Sequence, residues 1–214
     1  MEGKALAEVI RRAQRGDPAA FENLVEQFAG RIYGFLYRMS GSRPDAEDLM
    51  QEVFVRVVRM IGEYQHDGRF EAWLFRIAAN LGRDRVRRAR RTPRQVELND
   101  GPEGNGRYAG AGSLEEAAGQ AAGPDAGLIH EEECEALQRA LLALPEAERT
   151  VIMLRHFSQM SFKEIAEAMA TPLGTALARA HRALARLRHL MNVPGAAGRG
   201  MKSEAAPAGE ESPS

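Results

Sequence analysis

Apolar positions along this 214-residue chain recur at intervals of three and four in separate blocks, the rhythm of helices that bury one side. From residue 5 to about 91 the signals are helical throughout. Phe21, Leu24, Val25, Phe28, Ile32, Phe35, Leu36 and Met39 form one stripe, opened by Asp17 as N-cap with Pro18 at the first helical position. "SGSRP" breaks the chain. Ala46, Leu49, Met50, Val53, Phe54, Val57, Val58 and Ile61 form a second stripe, predicted to face inward as a set. "QHDGR" is a loop. Phe70, Trp73, Leu74, Ile77, Ala78 and Leu81 form a third.

Residues 92–130 lose the rhythm and hold eight glycines, the composition of a flexible linker. Helical signals resume near 131 and run to about 191 in four pieces. Leu137, Leu141 and Leu144 stripe the first, which stops at Pro145. "EAERTVIMLRHF" is the second. The third starts at Ser161, where Ser161 and Glu164 have capping-box spacing. The fourth opens with Thr171 as N-cap and Pro172 at the first helical position. From 192 the chain is rich in Gly, Pro, Ala and Ser and is expected to be a disordered tail. No strand pattern competes, so the fold class is all-α: two small helical domains, 1–91 and 131–191, joined by the linker.

The net charge of −1 hides blocks of opposite sign. Residues 1–91 are basic on balance, with the excess at the end, and 92–130 are acidic. The single cysteine, Cys134, excludes an internal disulfide framework and lies on an apolar stripe, so it is expected in the core. No metal-ligand spacing occurs, and no cofactor is expected. The N-terminus lacks a signal-peptide run and nothing is long enough to span a membrane, so a cytoplasmic protein without membrane insertion is expected.

Three clusters carry candidate chemistry. "TPLGTALARAHRALARLR" contains no acid and follows a short turn after "SFKEIAEAMA", the outline of a helix-turn-helix. At 100° per residue, Leu173, Leu177, Ala180, Leu184, Leu187 and Met191 fall on one side, predicted to be buried. Thr175, Arg179, Arg182 and Arg186 fall on the other, predicted to meet DNA. In "NLGRDRVRRARR" and the turn before it, Arg76, Asn80, Arg83 and Arg87 share a face opposite Trp73 and Ile77, and such side chains contact phosphates and base edges. In "DAEDLMQEVFVRV", Asp48, Gln51 and Glu52 stand opposite the apolar stripe. No histidine, metal ligand or nucleophile accompanies them, so a protein-docking face is expected rather than catalysis.

"DAEDLMQEVFVRV", "WLFRIAANLGRDRVRR", "LPEAERTVIMLRHF" and "SFKEIAEAMATPLGT", in this order, resemble the bacterial sigma factors of the extracytoplasmic-function (ECF) group. The resemblance covers roughly 5–91 and 131–190. It implies a region 2 helical bundle, a linker and a region 4 helix-turn-helix. The implied activity is promoter-specific initiation without catalysis, as a subunit of RNA polymerase. Asp48, Gln51 and Glu52 would meet the clamp helices of core RNA polymerase, and region 4 its flap. Gln65, His66 and Arg69 in the Gln65–Arg69 loop would hold a base flipped out of the −10 element. Asn80 would help form that pocket, and Arg76, Arg83 and Arg87 would contact the same element. Thr171, Thr175, Arg179, His181, Arg182 and Arg186 would contact the −35 element. An anti-sigma factor is the further partner implied. One departure stands out: Ala176, Leu177 and Ala178 replace the Val-Lys/Arg-Ser run usual after Gly-Thr.

Two other readings use the same helix-turn-helix. A one-component repressor would give no new transcript with core polymerase. A recombinase needs a nucleophile with an arginine cluster or a metal-binding acidic set, and the sequence supplies neither.

Overall fold

The computed structural model describes residues 3–91 and 124–192, and every regular element among them is helical. The order is α1 (Gly3–Gln14), α2 (Pro18–Ser40), α3 (Arg43–Met60), a 3-10 turn (Ile61–Glu63), α4 (Phe70–Arg91), α5 (Pro124–Ala143), α6 (Glu146–Phe157), α7 (Phe162–Ala168) and α8 (Leu173–Asn192). Residues 92–123 of the expected linker and 193–214 of the expected tail lie outside the described residues. Helix α5 begins at Pro124, inside the stretch that composition reads as linker to 130. Proline suits a helix start, but the surrounding glycines conceal this one.

Local signals set several boundaries. The Asp17 carboxylate accepts from the N–H groups of Ala19 and Ala20 at 3.0 and 3.4 Å and binds Arg12. Arg12 and these backbone hydrogen bonds hold its carboxyl below the usual carboxylate range, against a smaller desolvation. Ser161 and Glu164 form the reciprocal capping box, and its hydrogen bonds lower the Glu164 pKa. A cap of this kind contributes about 1 kcal/mol. Gly41 ends α2 at φ +76°, its N–H bonded to Tyr37 O at 2.8 Å. A Cβ there would lie 2.7 Å from Leu142 Cδ1, so α5 rests directly on this glycine.

Phe28, Phe35, Phe70, Phe75, Leu24, Ile32, Leu36, Met39 and Leu74 fill the centre of the α1–α4 bundle. Phe35 meets Phe75 edge-on at 5.4 Å. In the second unit Leu144, Val151, Met153, Leu154 and Ile165 pack with Ala176, Ala180 and Ala183 of α8. Phe157, at the end of α6, joins the two cores. Its ring lies 5.9 Å from Phe35 and 6.3 Å from Phe75, over Gly34, where a Cβ would come within 3.5 Å. Arg31 fastens this junction, donating to Phe157 O and, at 2.9 Å, to Glu71. Cys134, expected in the core, is only half-buried, because α5 turns Ala136, Ala140 and Leu141 inward instead.

Candidate polymerase and nucleic-acid interfaces

On α3, Asp48, Gln51 and Glu52 are all exposed, as the periodicity predicts. Glu52 pairs with Arg56 at 2.8 Å one turn on. Asp48 lies 4.0 Å from Arg85 of α4, whose guanidinium is held by Asp45 at the start of α3. The hydrogen bond to Asp45 holds Arg85 above its usual pKa, so it stays a cation paired with this carboxylate. Val58, expected to face inward, is 56% exposed, and Val55 beside it is 47% exposed. Ala46, Leu49, Met50, Val53 and Val57 fill the inner side with Phe54 packed at its edge, and Val58 is left outside. The face is therefore acidic at Asp48 and Glu52 and aliphatic at Val55 and Val58. Sequence reasoning missed Val55; the only signal was its one-residue offset from the stripe.

The loop after α3 is pinned from beneath. The Gln14 side-chain amide donates to Ile61 O at 3.0 Å and Tyr64 O at 2.6 Å, so α1 fixes the loop's entry. Tyr64 packs on Trp73 at 4.8 Å and Phe70 at 5.5 Å. Desolvation, reinforced by Asp67, pushes its phenol up to about 12, so it stays neutral at physiological pH. Gly68 takes φ +82°, and the Arg69 N–H donates to Asp67 Oδ1 at 3.0 Å, closing the turn. Gln65, His66 and Arg69 project into solvent from this platform. Beside it is a recess of about 360 Å³ lined by Tyr64, Gln65, Arg69, Trp73 and Arg76, with Glu164 of α7 on its far wall.

Along α4, Arg76, Asn80 and Arg87 are exposed and Arg83 is half-buried, so the predicted face exists. Two of its arginines are engaged by the second unit. Glu146, in the first turn of α6, lies 3.3 Å from Arg83 Nε and 3.5 Å from Arg87 Nε. Glu164 lies 3.2 Å from Arg69 in the same way. Carboxylates of α6 and α7 thus occupy three of the cations predicted to meet nucleic acid.

Helix α8 departs most from expectation. Its buried seam is Ala176, Ala180 and Ala183; Leu173, Leu177, Leu184 and Met191, predicted inside, are exposed. Thr175 and Arg179, predicted outside, are half-buried, as is Thr171, the expected cap. Pro172 O accepts from both Thr175 N and Ala176 N, so the cap position falls on Pro172, one residue after Thr171. Arg182 and Arg186 are exposed but bound to Glu148 of α6 at 3.1 and 2.9 Å. His181 is exposed. The reason is steric: three alanines let α8 lie close on α5, α6 and α7, and the leucines at the seam's margin are left outside. Glu148, 7% exposed at its side chain, draws the arginines round to one flank.

Sequence comparison bears on both units. Residues 24–92 match the model of sigma-70 region 2, and residues 134–187 that of sigma-70 region 4. SigW of Bacillus subtilis, an ECF RNA polymerase sigma factor, is 32% identical over 84% of this chain and 92% of its own. The chain belongs to the ECF sigma factors of the sigma-70 family. The RNA polymerase sigma-H factor of Pseudomonas aeruginosa is 32% identical over 82% of this chain and 88% of its own. Among solved structures, RpoE bound to the anti-sigma factor NepR from Bartonella quintana covers 81% of this chain and 98% of its own at 21% identity and TM-score 0.59. CnrH bound to the cytosolic domain of CnrY covers 87% of this chain and 97% of its own at 24% identity and TM-score 0.58. These two likenesses concern the fold.

In this ECF sigma factor the loop and α4 face lie in region 2, and the rotated α8 face in region 4. The carboxylates of Glu146, Glu148 and Glu164 were absent from the sequence-level site. Their types and spacing are those of acids in first helical turns, where the helix dipole already accounts for them. No helix among the described residues is long and apolar enough to cross a membrane.

Proposed function

We propose that this ECF sigma factor directs promoter-specific initiation as a non-catalytic subunit of RNA polymerase, docking on core enzyme through α3 and on promoter DNA through α4 and α8. Asp48, Gln51 and Glu52, with Val55 and Val58 one to two turns further along α3, form the polymerase contact. Gln65, His66, Arg69, Arg76, Asn80, Arg83 and Arg87 serve the −10 element, and α8 serves the −35 element. An anti-sigma factor is the proposed inhibitor, in line with the complexes of RpoE with NepR. The observation that carries this reading is the division of one bundle into two faces. An acidic and aliphatic face lies on α3 and an arginine–asparagine face on α4, followed by a second unit whose outermost helix holds no acid.

Run-off transcription with core polymerase on a promoter library tests it: a repressor or recombinase yields no new transcript. Reversing Asp48 and Glu52 to lysine is expected to abolish core binding while the helical content stays intact. Asn80→Ala is expected to impair strand opening, read by permanganate, more than duplex binding, since a flipped base is held by edge hydrogen bonds. Equal loss of both would reduce Asn80 to a phosphate contact. Promoter contact at Arg83, Arg87 and Arg69 also has to displace Glu146 and Glu164, so the arrangement described here is the closed partner of the DNA-bound one.

A further inference from the structure

The part of α8 that stands farthest from the protein carries mostly small side chains, with His181 and His189 among them. Opposite the alanine seam, at 100° per residue, lie Gly174, Ala178, His181 and Ala185, all exposed. Leu177 borders them, 44% exposed, with Leu173 and Leu184 continuing the same margin. Arg182 flanks the strip on one side and Arg188 on the other, and α8 contains no acid. A Cβ placed on Gly174 would meet nothing within 4 Å, so the first turn is open to a close approach.

The arginines that would ordinarily read guanine are occupied or turned away. Arg182 and Arg186 share the carboxylate of the buried Glu148, and Arg179 is half-buried. An apolar strip between cations, on the second helix of a helix-turn-helix, fits the floor of a major groove. There thymine presents a C5-methyl group and the groove walls present phosphates.

We propose that α8 reads the upstream promoter element by hydrophobic contact. Leu177, with Ala178 beside it, packs on thymine methyl groups, while Arg188 holds a flanking phosphate. This rests on the sigma-factor reading above. A protein helix on the same strip is the rival occupant. It is disfavoured because the strip's centre is Gly174, Ala178, His181 and Ala185, which offer little apolar area to a partner, and because both its flanks are cationic.

The test uses holoenzyme assembled from the full chain and core polymerase. Two promoter libraries are randomised over the upstream element, one carrying thymine and one carrying uracil in its place. Wild-type holoenzyme is expected to enrich thymine at one or two positions. That preference should fall about fourfold per methyl removed in the uracil library, the value of one buried methyl group. Leu177→Ala is expected to lose the difference between the libraries, and Leu177→Lys to replace it with a preference for guanine. Core binding and helical content serve as controls for both variants. Identical enrichment from the two libraries by wild type overturns the proposal, as does full methyl sensitivity in Leu177→Ala. Loss of core binding in Leu177→Ala with helical content intact makes the strip a protein contact and also overturns it. Failure of the sigma-factor reading is distinct: wild type then supports no transcription from either library.

Discussion

Helices α4 and α8 carry the two arginine-rich faces of this sigma factor, yet they are seated by opposite means. Helix α4 buries Phe70, Leu74, Phe75, Ile77 and Leu81, so its bulky residues mark the inner side and the arginines follow on the outer one. Helix α8 buries only Ala176, Ala180 and Ala183 and leaves three leucines and a methionine at the surface. Bulky side chains point inward where the opposing surface leaves depth for them. Where small residues face the partner, the backbones close up and the large side chains are pushed to the margins. The two helices therefore present different chemistry: α4 a polar face clasped by carboxylates from region 4, α8 an apolar strip between cations.

The sharpest way to break this contrast is to empty the α4 seam. Phe75 is fully buried against Phe35 and beneath Arg31, and Phe75→Ala is expected to cost about 3–5 kcal/mol, read from chemical denaturation. A cost under about 1 kcal/mol would mean that α4 is not anchored by its bulky residues. The converse change overfills α8: Ala180→Leu is expected to cost about 1–3 kcal/mol, because a seam of alanines has no room for it. A neutral or stabilising result would show that α8 does not sit on its alanines.

Releasing the clasp on α4 acts on binding more than on folding. Glu146 bridges Arg83 and Arg87, the latter half-exposed, so the ion pairs contribute on the order of 0.2–1 kcal/mol. Glu146→Gln is expected to raise the free chain's affinity for duplex DNA at low salt by up to about fivefold. Holoenzyme on the same DNA should be unchanged if, as proposed above, promoter contact already displaces Glu146. Equal increases in both would place the effect in net charge. The smallest effect is expected at the α8 margin. Leu184, 53% exposed, should change stability by less than about 0.5 kcal/mol when replaced by alanine. A loss of 2 kcal/mol would return Leu184 to the core where its spacing first placed it.

Much of region 2 was legible in the sequence because its signals agree. The Asp17 cap, the Gly41 stop and the Phe28–Met39, Leu49–Val57 and Phe70–Leu81 stripes all point the same way, and the exposed Asp48, Gln51, Glu52, Arg76 and Asn80 follow from them. Region 4 was legible in its capping box, and misread in the start of α5, the cap of α8 and the rotation of α8. Leu173, Leu177, Leu184 and Met191 outweighed three alanines in a hydrophobicity argument, although the alanines carried the contact. Val58 failed for a related reason: α3 had more apolar positions than its inner side could hold.

By itself the sequence determined most of the helix ends, with the start of α5 and the cap of α8 the exceptions, which residues share a side of each helix, and that α8 would be purely basic. Those properties are local: they depend on backbone hydrogen bonds, caps and a 3.6-residue period, and every one of them is written within about four residues of where it acts. The tertiary structure alone decided which side of α8 turns inward and which carboxylates occupy the arginines. Glu148 reaches Arg182 and Arg186 across more than thirty residues, and Glu146 reaches Arg83 across more than sixty. No periodicity encodes such pairings. They arise from the depth of the packing between helices, and that depth is fixed by the side chains of both partners together.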